Sequence, residues 1–211
     1  MIMGGADSWE WYVSPNADIK KFMPLCNITP VLYKKVIYCV DNNGTLGAFD
    51  PTCDDNPWSV LTNPSKQFDD DMHPGFLVEC GKDLLLVKLG HVGKLVRILR
   101  LDLSEMKWVK VETLGKRMLF ISSTTCVSAV APNRDMENKI YFPRLCLNGE
   151  GILVYSLETC SYHSSGGKQQ LPVNNFYETE GWLSNCTWIQ PNWSKSTPQE
   201  LDWFKPQKVP G

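Results

Sequence analysis

Histidine is scarce in this sequence. Only three occur in 211 residues, His73, His91 and His163. None has a second histidine or a cysteine at metal-ligand spacing, which excludes the common zinc frameworks. No G-x-S-x-G elbow, P-loop or dinucleotide fingerprint is present, so no cofactor is expected and no catalytic residue can be named. "SSGGK" (164–168) reads as a turn, because a phosphate cradle needs longer spacing before its lysine. "DDDMHP" (69–74) gathers Asp69, Asp70, Asp71 and His73, but lacks the alternating ligands and glycine of a calcium loop, so no metal is expected. No apolar run approaches the roughly 20 residues of a membrane span. The opening "MIMGGADSWEW" has neither a basic start nor an apolar core, so it does not read as a secretory leader. Sustained helical periodicity is missing too, apart from one candidate short helix in "PNADIKKFMP" (15–24).

Strong charge of either sign is also lacking. The formal charge is −2, which gives no pull toward nucleic acid or an anionic membrane. Its distribution is uneven: Lys88, Lys94, Arg97, Arg100, Lys107, Lys110, Lys116 and Arg117 fall within 30 residues. This stretch reads as solvated strand faces, where lysine also protects sheet edges; a patch for an acidic partner is the alternative. The eight cysteines (26, 39, 53, 80, 126, 146, 160, 186) form no C-x-x-C pair. Several sit in apolar runs, as in "VIYCV", "FLVEC" and "TTCVSAV", where a free thiol behaves as a small hydrophobe. Reduced cysteines, a cytoplasmic or nuclear location, and fortuitous sequons at Asn27, Asn43, Asn185 and Asn192 follow as expectations. The tryptophans near the C-terminus (Trp182, Trp188, Trp193, Trp203) read as packing residues, since few basic residues accompany them for base stacking.

What is present is strand after strand. "KVIYCV" and "TLGAFD" flank "DNNG", a hairpin signal in which Asn43-Gly44 supplies positive φ. "GFLVEC", "LLLVKL", "KLVRILRLD", "KWVKVETL", "MLFIS", "CVSAVA", "NKIYF", "GILVYSL" and "CSYHS" follow, punctuated by Gly, Asn, Asp and Pro. These runs repeat. Asp50 and Asp102 are 52 residues apart, and Asp102 and Ser156 are 54 apart. Trp58, Trp108 and Tyr162 recur at 50 and 54, and the preceding strands at Ile37, Leu85 and Ile140 recur at 48 and 55. A period near 50 with about four strands per unit is the pattern of propeller blades. The expected fold is all-β: a partial β-propeller of about three four-stranded blades. Its blade signature, Asp50, Trp58, Asp102, Trp108 and Tyr162, is expected to be structural. The polar residue would bond turn N–H groups, and the aromatic would fill the space between blades. Closed propellers carry about four to eight blades, so a fragment, a compact rearrangement or a ring-completing dimer is implied.

The stretch "VRILRLDLSEMKWVKVETLGKRMLFIS" (96–122) resembles the plant F-box proteins that carry a KIB-type β-propeller. "KKVIYCVDNNGTLGAFD" (34–50), "NKIYFPRLCLNGEGILVYSLETCSYHS" (138–164) and "CTWIQPNW" (186–193) resemble further elements of that family. The likeness covers residues 30–194. It implies a partly irregular N-terminal segment (1–29), a partial propeller domain (30–194) and a C-terminal tail (195–211). It also implies a non-enzymatic interaction module, similar to the substrate receptors of cullin-type ubiquitin ligases, with a protein partner bound by loops at one end of the blades. Candidate loops are 51–57, 69–74, 132–137 and 145–150. Two departures from the family stand against adaptor docking and a closed ring: no helical F-box segment is present, and the first half of the propeller is not matched. The alternatives are a hydrolase-like enzyme with a channel site, a secreted lectin-like domain, and a truncated gene product without activity.

Overall fold

A computed structural model describes residues 2–4, 9–11, 29–41, 44–53, 56–61, 75–90, 93–122, 125–145, 151–165, 172–176, 179–182 and 186–188. Among these residues there is no α-helix, and a 3-10 turn spans Arg134–Met136. The candidate helix 15–24, the loop 69–74, the four sequons and the tail 195–211 lie outside the described residues. Strands β1 (Ile2–Gly4) and β2 (Trp9–Trp11) pair antiparallel as a sheet of their own.

Two four-stranded meanders come next. The first runs β3 (Val31–Tyr33), β4 (Val36–Val40), β5 (Leu46–Phe49) and β6 (Trp58–Val60). The second runs β7 (Gly75–Cys80), β8 (Asp83–Leu89), β9 (Val96–Asp102) and β10 (Lys107–Val111). Each strand is antiparallel to the one before it, as short turns require. The third sheet holds β11 (Arg117–Ile121), β12 (Cys126–Val130), β13 (Lys139–Leu145), β14 (Ile152–Ser156), β15 (Ser161–Ser165), β16 (Pro172–Val173) and β17 (Glu180–Trp182). Its order is β12-β11-β13-β14-β15-β16, with β17 also on β13. The chain is therefore a partial propeller of three sheets, and its ring is open.

The third sheet is larger than a four-strand unit because β11 is inserted. It pairs antiparallel with β12 and parallel with β13. Asn138 secures the insertion at φ 58°: its Oδ1 accepts the Leu114 N–H at 2.8 Å, and its own N–H reaches Arg117 O at 2.9 Å. Asparagine tolerates this left-handed conformation better than most residues.

Side-chain alternation makes the middle sheet a shared wall. Leu77, Leu84, Leu86, Leu99, Leu101 and Trp108 pack against Tyr33, Tyr38, Val40, Leu46 and Ala48 of the first sheet. The residues between them, including Phe76, Val78, Leu85, Val87 and Ile98, pack against Leu119, Ile121, Ile140, Phe142 and Tyr155 of the third. "GFLVEC" and "LLLVKL" are near-continuous apolar runs for this reason, since a strand covered on both faces has no solvent side. Trp108 bridges the first interface. It is 3 % exposed and its indole N–H donates to Gly44 O at 3.0 Å.

Lys34 and Lys35 form the two-residue link between β3 and β4, with φ of 50° and 69°. Positive φ at both central positions is the geometry that Asn-Gly normally supplies, and it costs an ordinary residue about 1 kcal/mol.

Two stability outcomes follow. Trp108→Ala should lower the unfolding free energy by about 3–5 kcal/mol, read from urea midpoints, because it opens a cavity and orphans the Gly44 carbonyl. The double change Lys34→Asn with Lys35→Gly should raise it by about 1 kcal/mol in the same assay; no gain would mean that the turn is unstrained.

Candidate functional site

Each sheet exposes one edge strand toward a common centre: β3, β7 and β12. β3 lies against β7, and β7 against β12. Two side chains latch these edges together. The Tyr33 hydroxyl donates to Lys82 O, and Ser128 Oγ donates to Glu79 O at 2.8 Å. Between the edges lies a cavity of about 480 Å³, walled by Val31, Leu32, Leu77, Glu79, Cys126 and Ser128 together with Gly81 and Arg117. Its size is that of a small-ligand or short-peptide pocket.

Arg117 opens β11 directly after the 112–116 link, and its Nη2 donates to Ser128 Oγ at 3.1 Å. Its Nε–H is buried without an acceptor among the described residues. The guanidinium lies over Gly81, where an added Cβ would sit 3.6 Å from Nη1. Gly81 also holds φ of 67°, so glycine serves both the turn and this close approach. Arg117, Gly81 and Glu79 carry no sequence motif; only the turn glycine was a visible signal.

The expected blade-signature residues occupy matching register positions. Phe49 faces Trp58, Leu101 faces Trp108 and Tyr155 faces Tyr162, each just inside the polar residue that ends the strand. Asp50 Oδ1 accepts from Thr52 N–H at 2.9 Å and Oγ1 at 2.7 Å. Asp102 Oδ1 accepts from Ser104 Oγ at 2.6 Å, Ser104 N–H at 3.0 Å and Glu105 N–H at 3.3 Å. Ser156 Oγ accepts from Thr159 N–H at 3.4 Å. Both four-residue turns end in a positive-φ residue, Met106 (47°) and Cys160 (50°). Trp58 is only half-buried and leans on Phe49, ring centres 5.4 Å apart. Tyr162 is buried, edge-on to Tyr155 at 4.8 Å. None of the five lines the cavity. The preceding strands differ by one step from the sequence alignment. Ile37 and Ile140 face Phe49 and Tyr155, and continuing the β8–β9 register puts Leu84, not Leu85, opposite Leu101.

The candidate loops do not share one end. Residues 51–57 (54 and 55 outside the described residues) follow β5, and 132–137 lead into β13; both lie at the end that carries the β7–β8 turn. β13, parallel to β11, then runs away from that end to Leu145 at the opposite end, and the rest of the candidate loop 145–150 lies outside the described residues.

His73 and His91 are outside the described residues, and His163 stands on β15, away from the cavity. Its pKa is lowered by burial first and by Lys139 second. Burial pushes the Cys126 thiol up to about 12 and the Cys39 thiol to about 11, so neither is a thiolate at neutral pH. Among the described residues no three His, Cys, Asp or Glu side chains group closely enough to hold a metal ion. No helix among them is long and apolar enough to cross a membrane. The basic stretch is dispersed: Lys88 is buried, Arg100 faces Asp83 at 3.8 Å, and Lys107 and Lys110 sit beside Glu105 and Glu112.

Two measurements check this description. At neutral pH iodoacetamide should label Cys53, Cys160 and Cys186 and spare Cys39, Cys80 and Cys126 until the protein unfolds, as read by peptide mass spectrometry. Asp102 is held below the ordinary carboxylate value, chiefly by the Ser104 hydroxyl and then by the Ser104 and Glu105 N–H groups. Its stabilisation is therefore complete above about pH 4 and is lost as pH falls through the lowered folded value. Urea midpoints of the native chain and of Asp102→Asn should differ at pH 7, and the difference should shrink as pH falls below about 4.

Residues 4–156 match the model of the KIB1-4 beta-propeller family. The chain is 29% identical over 147 residues to an F-box/kelch-repeat protein of Arabidopsis thaliana, covering 68% of this chain and 41% of that protein. It is 30% identical over 139 residues to an Arabidopsis F-box protein, covering 65% and 27%. A second Arabidopsis F-box protein is 25% identical over 207 residues, covering 95% and 47%. The chain thus spans less than half the length of each of these relatives.

Proposed function

The chain belongs to the KIB1-4 β-propeller family, and on that premise we propose that it is a non-enzymatic recognition module of the cytoplasm or nucleus. It selects a protein partner in the manner of an F-box substrate receptor. The propeller and the F-box relatives support a protein-interaction module; the substrate-receptor role is our reading. The observation that carries it is the family match over a sheet scaffold that offers a shaped end.

We place recognition at the end bearing the β3–β4 turn, the β7–β8 turn and residues 131–138. The inner edges open there beside the cavity, and loops on a rigid sheet scaffold are the usual site of recognition. The five signature residues act in this reading as turn and packing elements of the blades.

Lysine cross-linking followed by mass spectrometry tests the placement, using the tagged chain expressed in plant cells. Cross-links to a recurrent partner should fall on Lys34, Lys35, Lys82 and Lys116, and that partner should accumulate when the proteasome is inhibited. Cross-links concentrated on Lys107 and Lys110 of the outer strand would overturn the placement. A partner indifferent to proteasome inhibition would overturn the receptor role.

A further inference from the structure

The inner turns are basic and the outer turns acidic. Around the mouth of the cavity stand Lys34 and Lys35 on the β3–β4 turn, Lys82 on the β7–β8 turn, and Lys116 beside the end of β12, where Ala131 N–H bonds Lys116 O at 2.9 Å. All four are exposed, and neither they nor Arg117 form an ion pair among the described residues. Lys34 rests its Nζ 5.0 Å from the Tyr33 ring centre. The outer turns at the same end carry Asp50, Asp102, Glu105 and Glu158 instead.

We propose that the cavity and its basic rim take an extended acidic segment of a partner protein, with one carboxylate entering the cavity to meet Arg117. Two observations converge on that occupant. Among the described residues the Arg117 fork is anchored on one side only, by Ser128, and its Nε–H has no acceptor; a carboxylate matches a guanidinium fork in two hydrogen bonds. The cavity is walled by strands that are sheet edges, so their outward N–H and C=O groups are available to an extended backbone.

A long polyanion such as nucleic acid fits less well. The acidic outer turns surround the basic centre, and the chain carries net charge −2. Glu79 on the cavity wall and Asp135 and Glu137 on the 3-10 turn oppose an anion. Asp83, at the base of the β7–β8 turn, faces Arg100 at 3.8 Å. Glu79 therefore acts as a selectivity element: it limits the number of charges the cavity accepts.

This inference rests on the recognition end proposed above and names its ligand chemistry. Its test needs only the purified chain, so its failure is separable from failure of the ubiquitin-ligase reading. The probe is a fluorescein-labelled octapeptide alternating glutamate and alanine, compared with its glutamine counterpart and with oligothymidylate by fluorescence anisotropy. The glutamate peptide should bind, weaken as salt rises from about 50 to about 300 mM, and exceed the glutamine peptide by roughly tenfold or more. Arg117→Gln should weaken it about tenfold, Arg117→Lys less, and Glu79→Gln should tighten it several-fold. Unchanged near-ultraviolet circular dichroism shows that each variant is folded. Equal binding of the two peptides, no binding up to about 1 mM, tighter binding of the oligonucleotide, or a folded Arg117→Gln that binds normally would each overturn the proposal.

Discussion

Everything in this fold depends on one sheet being dry on both faces. Strands β7 to β10 divide their side chains by parity, with Leu77, Leu84, Leu86 and Leu99 turned one way and Phe76, Val78, Leu85 and Val87 the other. Neither neighbouring sheet could bury its own apolar face without that wall. A one-residue slip of register in β8 would send both sets to the wrong partner, and no face would be left to tolerate the error. The middle sheet therefore fixes the placement of the outer two, and with it the convergence of β3, β7 and β12.

That convergence turns packing into a site. Edge strands are a liability when exposed, because unpaired N–H and C=O groups template further pairing. Here three edges face one another across a cavity, held by Tyr33 on one side and Ser128 on the other, and both latches end on the β7–β8 region. The spacing of the walls is set by side-chain hydrogen bonds to backbone carbonyls, not by direct strand pairing. The opening survives for that reason.

The blade count and the strand–turn–aromatic unit were legible in the sequence because both follow from local pattern. A strand that ends in Asp or Ser, a short polar turn and an aromatic opening the next strand needs no tertiary information. "DLSEMKW" and "SLETCSY" carry it with the same spacing and the same positive-φ fourth residue. The one-step error at Leu85 has a physical origin. In a strand buried on both faces, Leu84, Leu85 and Leu86 are equally apolar, so alternation cannot mark which faces which partner. The insertion of β11 was not legible either, since strand order depends on a non-local parallel pairing with β13. The cavity was invisible for a related reason: Arg117 and Gly81 are 36 residues apart and meet only because two sheets meet.

An open stack of sheets faces a problem that a closed ring does not, because its terminal sheets have a neighbour on one side only. The third sheet meets this with its own chain. Met118, Tyr141 and Val154 form a patch on the face turned away from the middle sheet, and Phe120, Ile152 and Trp188 pack against it. Trp188 lies tilted against Phe120, ring centres 4.9 Å apart, donates its indole N–H to Ile121 O, and is joined to Thr125 through both of its backbone polar groups. A returning segment thus stands where a further blade would pack. Thr125 takes part in this cover and also lines the cavity. Cover and cavity therefore share the β11–β12 hairpin. Anything that displaced Trp188 would loosen the wall that presents Ser128 to Arg117, coupling the closure of the sheet stack to the shape of the site.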